Sequence, residues 1–193
     1  PMKKALLAVA LTLTFPPVFA EKKTPTYDVA QFDIAGMKLG MTEQEIKAAI
    51  KTSLEMSDGD VTKEEGKKDK EIQWKKGNHK VTVHFIPDAW HDKMDVLVAD
   101  GIQYGLPYTE ENVKMLKDAA VQKYGVPSSS SVGKVRWCTS TDGWDTCRDG
   151  KEAELYLYYD YTVGILHLAL DDARYFNALR EAINKTKTEK PKI

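Results

Sequence analysis

Hydrophobic residues recur at two spacings along this chain, and each spacing predicts a different kind of element. The first stretch with helical spacing follows Thr42 and Glu45, which form a capping box: the threonine hydroxyl accepts from the amide three residues on, and the glutamate carboxylate accepts from the threonine amide. We therefore expect a helix from about Glu43 to Leu54. Its apolar positions are Ile46, Ala49, Ile50 and Leu54.

The same spacing predicts two further helices. Thr109 is placed to cap the second helix, and Gly125 followed by Pro127 ends it. Its apolar stripe consists of Val113, Leu116, Ala120 and Tyr124. Asp171 or Asp172 is placed to cap the third helix. The apolar residues of that helix are Tyr175, Leu179 and Ile183.

Alternation of apolar and polar residues predicts strands between these helices. Segments 72–74 and 81–85 alternate around a turn at 76–78, which indicates a hairpin with one buried face. Further stretches with strand character cover residues 94–104, 135–138, 154–161 and 165–170. Because short turns rather than long crossovers join the strands, the sequence predicts an α+β fold with packed helices and a largely antiparallel sheet.

Segments without a periodic pattern are predicted as loops. Residues 55–70 are mostly charged and contain two glycines, so we expect a mobile loop there. Residues 128–131 are four consecutive serines, which favours a flexible link. Residues 21–31 are expected to form a flexible lead-in, and residues 185–193 a flexible basic tail.

The first twenty residues have the pattern of a secretory signal peptide. Lys3 and Lys4 give a positive start, residues 5–15 are apolar, and residues 18–20 resemble a cleavage site. We expect cleavage near Ala20 and a periplasmic mature protein. The apolar run is too short to cross a bilayer comfortably, and no later stretch is long and apolar enough, so no membrane span is predicted.

The ordered region is expected to be an α+β domain covering residues 32–184. Within it, the stretch from Gly36 to Thr42 is echoed by the stretch from Gly101 to Thr109. Each stretch leads into a predicted helix that strands follow. This echo is compatible with two related lobes, residues 32–100 and 101–184, although only a handful of positions match.

The charge balance narrows the kinds of partner. The chain has 28 Lys and Arg residues against 29 Asp and Glu residues. Removing Lys3 and Lys4 with the signal peptide leaves 26 against 29, a formal charge of about −3. A nucleic-acid-binding protein needs a surplus of basic residues to neutralise phosphates, so this composition argues against nucleic acid as the partner.

The two cysteines, Cys138 and Cys147, are expected to form a disulfide because an exported chain meets an oxidising environment. Asp142 and Gly143 between them are a turn signal, so the bond would hold a small loop between extended segments. The alternative is a redox-active pair. Such pairs usually have the Cys-x-x-Cys spacing, which is absent here.

Candidate catalytic and metal-binding residues are few. His84 and His91 lie close in sequence to Asp88 and Asp92, and a strand followed by a loop could bring two imidazoles and a carboxylate to a zinc ion. The spacing matches no established zinc motif. Nucleophile motifs, glycine-rich nucleotide loops and P-loops are also absent. The sequence therefore predicts no cofactor and no metal, and singles out no catalytic residue.

Aromatic residues in predicted loops are better candidates for a binding site. Trp90 and His91 follow a strand, Trp144 lies between the cysteines, and Tyr104 and Tyr108 flank a turn. Exposed aromatic rings on restrained loops suit protein recognition, because they bury a large area at a low cost in entropy. We predict that a partner contacts these residues, chiefly in the loops around Trp90 and Trp144.

A core role is the alternative for these rings, since an aromatic side chain in a loop can cover nearby apolar residues. Tyr156 and Tyr158 leave a similar choice open. They alternate with Leu155 and Leu157, so they lie on the other face of their strand. There they form either a second aromatic stripe or a contact with a helix.

Residues 32–42 resemble the opening of a group of uncharacterised proteobacterial periplasmic proteins, as do residues 123–127 and the pair Trp137 and Cys138. The segment 40–45, which contains the capping box, is similar to small exported domains of the SmpA/BamE and beta-lactamase-inhibitor-protein type. This resemblance implies helices paired with an antiparallel sheet, sometimes in tandem, and binding of proteins rather than catalysis. The chain departs from the lipoprotein members because it lacks a lipidation cysteine.

Two functions are compatible with these features. The first is an exported, periplasmic protein-binding protein without catalysis, of the inhibitor, immunity or envelope-assembly type, whose partner lies in the cell envelope. The alternative is a periplasmic hydrolase or metal-dependent enzyme that uses the region from His84 to Asp92.

Overall fold

The computed structural model describes residues 24–141, 147–148 and 150–187. Its three helices are α1 (Glu43–Leu54), α2 (Glu110–Tyr124) and α3 (Ala173–Lys187). Its strands are β1 (Asp33–Ile34), β2 (Met37–Lys38), β3 (Val61–Glu65), β4 (Lys70–Lys76), β5 (His79–Asp88), β6 (Lys93–Pro107), β7 (Ser129–Ser131), β8 (Lys134–Cys138), β9 (Ala153–Asp160) and β10 (Ile165–Asp172). None of the helices described is long and apolar enough to span a membrane.

Eight strands form one antiparallel sheet in the order β3-β4-β5-β6-β10-β9-β8-β7, and β1 and β2 form a separate small hairpin. The predicted α+β fold with an antiparallel sheet is therefore confirmed. The hairpin predicted around residues 76–78 is the β4–β5 pair, in which Lys76 lies opposite His79. Strands that follow one another in the chain lie side by side, except where β6 pairs with β10 at the centre.

The two halves of the chain contribute similarly to this sheet. In the first half α1 precedes β3 to β6, and in the second half α2 precedes β7 to β10. The last strands of the two halves, β6 and β10, pair at the centre of the sheet, where Gly101 lies opposite Asp171. The predicted boundary between residues 100 and 101 falls inside β6, so both halves share one continuous sheet.

One face of the sheet, the covered face, carries the main hydrophobic core. Helices α1 and α2 and the segment from Val29 to Met37 pack against it through side chains such as Ile46, Ile50 and Leu116. The strands supply Ile72, Trp74, Val81, Val83, Phe85, Ile102, Trp137, Leu155, Leu157 and Leu168 to this core. Trp74 and Trp137 are fully enclosed. The covered face therefore accounts for most of the buried apolar surface.

Local chemistry sets the helix ends as predicted. The Thr42 hydroxyl accepts from the Glu45 amide, and the Glu45 carboxylate accepts from the Thr42 amide at 2.8 Å, so the capping box at the start of α1 is confirmed. The Thr109 hydroxyl accepts from the Asn112 amide at 3.0 Å at the start of α2. Gly125 ends α2 with a φ of 91°, a conformation that favours glycine.

The structure differs from the sequence prediction in both expected loops. Residues 55–70 contain β3, which pairs with β4 through a bulge after Val61, the one residue of β3 that faces the core. Residues 129–131 form the edge strand β7, and the buried Ser128 hydroxyl accepts from the Cys138 amide at 3.1 Å. Both segments form strands because the backbone of an adjacent strand, β4 or β8, is available for hydrogen bonding. Their own side chains do not have the apolar pattern of a strand.

The ends of the predicted domain also differ. In the expected lead-in, the Val29 side chain is fully buried, and the Tyr27 amide donates to the Cys138 carbonyl at 3.0 Å. Residues 185–187 of the expected tail belong to α3. The predicted signal peptide and the remainder of the tail lie outside the described residues.

Candidate functional site

The second face of the eight-stranded sheet, the open face, is largely uncovered by the other elements that the structure describes. Among the described helices α3 packs on it, whereas α1 and α2 lie on the covered face. The register places these side chains on the open face: Glu71, Gln73, Lys75, Lys80, Thr82, His84, Gln103, Lys134, Arg136, Glu154, Tyr156, Tyr158, His167 and Asp171. The open face thus carries polar and aromatic side chains, whereas the covered face carries the hydrophobic core.

Helix α3 is fixed at one end of the open face by a small apolar cluster. Its Tyr175 packs with Ile86 and Val98, which point away from the main core. The buried Asp172 carboxylate caps the helix by accepting from the Arg174 amide at 3.0 Å, and it also accepts from the Arg174 guanidinium. The capping role predicted for Asp171 or Asp172 thus belongs to Asp172.

His84 is held between two carboxylates beside α3. Its Nδ1 lies 2.6 Å from Asp100 Oδ1, and its Nε2 is hydrogen-bonded to Asp69. Asp100 occupies a β-bulge between β5 and β6, where the register shifts after His84. The Asp100 hydrogen bond, followed by the nearby negative charges, raises the pKa of His84 to about 9, so this imidazole is protonated at neutral pH.

A cleft of about 280 Å³ opens between this group and the first turn of α3. Asp171 lines it and accepts a hydrogen bond from the Tyr156 hydroxyl. Burial raises the pKa of Asp171 to about 6. Gly101 forms the neighbouring floor: a Cβ there would stand 2.9 Å from Asp171 Oδ1, so a larger residue would displace the Asp171 carboxylate. We call this space the acidic cleft.

The other end of the open face has a different character. Lys75 and Lys80 lie directly opposite each other on β4 and β5, and within the described residues neither has an ion-pair partner. Both line a second cleft, of about 400 Å³, which also includes Gly105. We call this space the lysine cleft.

His167 stands beside the lysine cleft without a hydrogen bond to its buried Nδ1 from any described residue. Its ring stacks on Tyr158 at a centroid distance of 5.0 Å. Gly105 lies opposite His167, and a Cβ there would crowd Ile165 Cγ2 at 3.0 Å and touch His167 Nδ1 at 3.4 Å. Burial lowers the pKa of His167, so the ring is neutral at neutral pH.

The residues predicted to bind a partner, as far as the structure describes them, are spread over distant parts of the fold. Trp90 and His91 form a one-turn 3-10 helix before β6, whereas Tyr108 follows the far end of the same strand. Trp90 is 38% exposed, packs edge-on against Tyr175 and lies under the Arg174 guanidinium, so it contributes to the docking of α3. Trp144 lies outside the described residues.

Tyr104 and Tyr108 also differ from the expected pair flanking a turn. Tyr104 lies inside β6 on the covered face, where its hydroxyl is 2.6 Å from His79 Nδ1. Tyr108 is exposed but stacks on Tyr159 at 3.9 Å. Of the aromatic alternatives, Tyr156 and Tyr158 are the ones that lie on the open face, as neighbours 5.4 Å apart.

Cys138 and Cys147 are placed as a disulfide pair with Cα atoms 5.4 Å apart. The bond joins the end of β8 to a bridge that Cys147 makes with Thr141. It lies close to Tyr27 and Ser128, whose hydrogen bonds with Cys138 hold the same corner of the sheet. The arrangement fits a structural bond between extended segments.

The histidines proposed for the alternative enzyme lie apart in the fold. His84 is bonded to Asp69 and Asp100, whereas His91 Nδ1 lies 2.7 Å from Asp88. In the part of the chain that the structure describes, no group of three or more His, Cys, Asp or Glu side chains is arranged to hold a metal ion. The zinc arrangement considered from sequence is not formed by these residues.

The chain matches no protein family model, no curated protein and no solved structure. The similarity of segment 40–45 to the SmpA/BamE and beta-lactamase-inhibitor-protein type stays a prediction.

Proposed function

We propose that this chain is an exported, periplasmic protein-binding protein without catalysis of its own, and that the open face of the sheet contacts its partner. The observation that carries this proposal is the contrast between the two faces of one sheet. The covered face buries its core under two helices. The open face presents aromatic and charged side chains, and within residues 24–141, 147–148 and 150–187 it is α3 that packs on it, at one end.

The composition of the open face supports recognition of a protein. An antiparallel sheet can have one face in solvent, and small polar side chains are sufficient on such a face. Here Tyr156 and Tyr158 are large, partly exposed rings in the middle of the face, beside the buried ring of His167. Tyrosine is enriched in protein interfaces because its ring buries apolar area while its hydroxyl stays hydrogen-bonded.

Two of the small residues beside these rings line clefts that a partner could enter. Gly101 and Gly105 on β6 and Ala169 on β10 form a central strip of positions with little or no side chain. One cleft opens at the Gly101 end of this strip and the other at the Gly105 end. The side chains of Asp171, Ile165 and His167 fill the space next to the two glycines, so a partner's side chains would enter the clefts rather than reach the sheet backbone.

The chemistry of His84 favours binding over the alternative hydrolase. A general base or a metal ligand needs an imidazole with a free lone pair at the working pH. The two neighbouring carboxylates hold the pKa of His84 at about 9, so both of its ring nitrogens carry protons at neutral pH. His84 instead acts as a fixed positive charge between Asp69 and Asp100.

The test compares capture of proteins by two matched variants. Gln103→Arg places a long, charged side chain at the centre of the open face, and Met115→Arg places the same side chain on exposed α2, on the other side of the sheet. Purified chain and both variants, shown to be folded by circular dichroism, are immobilised and exposed to periplasmic extract. We expect wild type and Met115→Arg to retain the same specific protein, and Gln103→Arg to retain at least about tenfold less.

Equal capture by Gln103→Arg and wild type would show that the open face is not the contact surface. Retention of no specific protein from extracts of several growth conditions would contradict the binding function itself.

A further inference from the structure

The open face has opposite charge at its two ends. The acidic cleft contains Asp100 and Asp171, with Asp69 just beyond them, and His84 is the positive group held among these carboxylates. The Asp171 carboxylate accepts a hydrogen bond from the neutral Tyr156 hydroxyl rather than from a cationic side chain. The cleft therefore keeps an excess of negative charge at neutral pH.

The wall of the acidic cleft is suited to an alkyl chain. Phe176 of α3 lines the cleft and is 53% exposed, although it is a large apolar residue. An aromatic ring above carboxylates matches the two parts of a lysine or arginine side chain: the stem packs on the ring, and the charged end reaches the oxygens.

The lysine cleft has the opposite excess. Lys75 and Lys80 are cross-strand neighbours, an arrangement of like charges that destabilises a sheet. Among the described residues no carboxylate pairs with either of them, whereas Lys63 on the same face pairs with both Glu65 and Glu71. A carboxylate supplied by a partner would relieve this repulsion.

The two charged ends lie a short distance apart on the same strand. Lys80 and His84 are four residues apart on β5, which corresponds to about 13 Å at the rise of an extended strand. Thr82 and Gln103 lie between them, and neither carries a charge. One partner loop is long enough to reach both ends at once.

We infer that the partner is a protein segment carrying a basic side chain that enters the acidic cleft and, about 13 Å away, an acidic side chain that meets Lys75 and Lys80. This inference rests on the proposed function and adds the chemistry of the partner. A polyanion such as nucleic acid does not fit the same face, because its charge would be repelled at the acidic end.

Two small probes test the inference without the natural partner. N-acetyl-arginine amide carries the positive group and N-acetyl-glutamate amide the negative one. Each is titrated at low salt and pH 7.5 into isotopically labelled protein, and shifts of backbone amide resonances are recorded. We expect the arginine probe to shift the amides of Gly101, Asp171 and Ala173, and the glutamate probe to shift those of Lys80 and Gly105.

Matched variants assign the shifts to the charges. Asp171→Asn should weaken binding of the arginine probe about fivefold and leave the glutamate probe unchanged, and Lys80→Gln should do the reverse. Asp118→Asn and Lys117→Gln change equally charged, exposed residues of α2 and should alter neither probe. Shifts of the same amides by both probes, shifts that persist in Asp171→Asn and Lys80→Gln, or the absence of localised shifts would overturn the inference.

The outcome separates the two proposals. If Gln103→Arg captures less protein than wild type but the probes cause no localised shifts, the open face binds a partner and the assigned charges are wrong. If Gln103→Arg captures as much protein as wild type, the open face is not the contact surface, and the assignment of a partner to it fails even if the probes cause localised shifts.

Discussion

The covered and open faces of the sheet are made by alternate residues of the same strands, yet they have different physical roles. On β4, Trp74 is enclosed in the core, whereas the adjacent Gln73 points to the open face and is only partly buried. On β9, Leu157 belongs to the core, and Tyr158 stacks on His167. The buried core that stabilises the fold lies on one face of the sheet. The residues of the other face can therefore serve contact with a partner.

The largest expected effect tests this contrast directly. Trp74→Ala removes a fully buried ring and should lower the free energy of unfolding by about 3–5 kcal/mol. Gln73→Ala, one position away on the open face, should lower it by less than about 1 kcal/mol. Urea unfolding followed by circular dichroism measures both values. Comparable losses in the two variants would contradict the unequal roles of the faces.

The disulfide should have the next largest effect, since it restrains the corner of the sheet where β8 ends. Replacing Cys138 and Cys147 together by Ala should lower the free energy of unfolding by about 2–3 kcal/mol through the entropy of the unfolded chain, and should leave the fold intact. Thiol titration of denatured, unreduced protein should find no free thiol. Two reactive thiols in periplasmic material would refute the bond.

A smaller effect is expected at the start of α1, on the covered side. Thr42→Ala leaves the Glu45 amide without its side-chain acceptor and should cost about 1 kcal/mol of unfolding free energy. Glu45→Ala should cost somewhat less, because it leaves the Thr42 hydroxyl in place as the N-cap acceptor. Thermal unfolding of both variants checks the capping box, and unchanged stability in both would show that it contributes nothing.

The smallest effect is electrostatic and belongs to the open face. The folded-state pKa of His84, about 9, lies above the ordinary value of 6.5, so its protonated form contributes stability below about pH 6.5 that is lost as the pH rises through 9. His84 is 35% exposed, and screening by solvent should keep this contribution below about 1 kcal/mol. Urea unfolding of wild type and His84→Gln at pH 6, 8 and 9.5 should show the difference shrinking as pH rises. A constant difference would contradict the ion pairs with Asp69 and Asp100.

Much of the fold follows from local sequence signals. Thr42, Glu45, Thr109 and Gly125 set helix ends through contacts within a few residues, which a sequence displays directly. Strand β3 was not predicted because its single core-facing residue, Val61, gives no alternating pattern, and its pairing with β4 includes a bulge. The sequence does not predict strand β7, because its three serines have no strand pattern of their own and become a strand through pairing with β8.

The candidate site needed information that no local pattern contains. His84, Asp100 and Asp171 come from β5, β6 and β10, and they meet because β6 and β10 are central neighbours. Proximity in sequence groups His84 with His91 instead, but His91 lies beyond the end of β5 and is hydrogen-bonded to Asp88, the last residue of that strand. The one local signal was the alternation of Tyr156 and Tyr158 with the buried leucines, which marked the aromatic part of the open face.

The pairing of β6 with β10 also has a consequence for folding kinetics. Every other pairing among the eight described strands joins neighbours in sequence, so each four-stranded meander can grow by adding the next strand. The central pairing joins Pro107 to Ile165 and Gly101 to Asp171 across a helix and three strands. The entropy of closing a long loop is therefore concentrated at this seam. We expect its closure, rather than the formation of either meander, to limit the rate at which the chain folds.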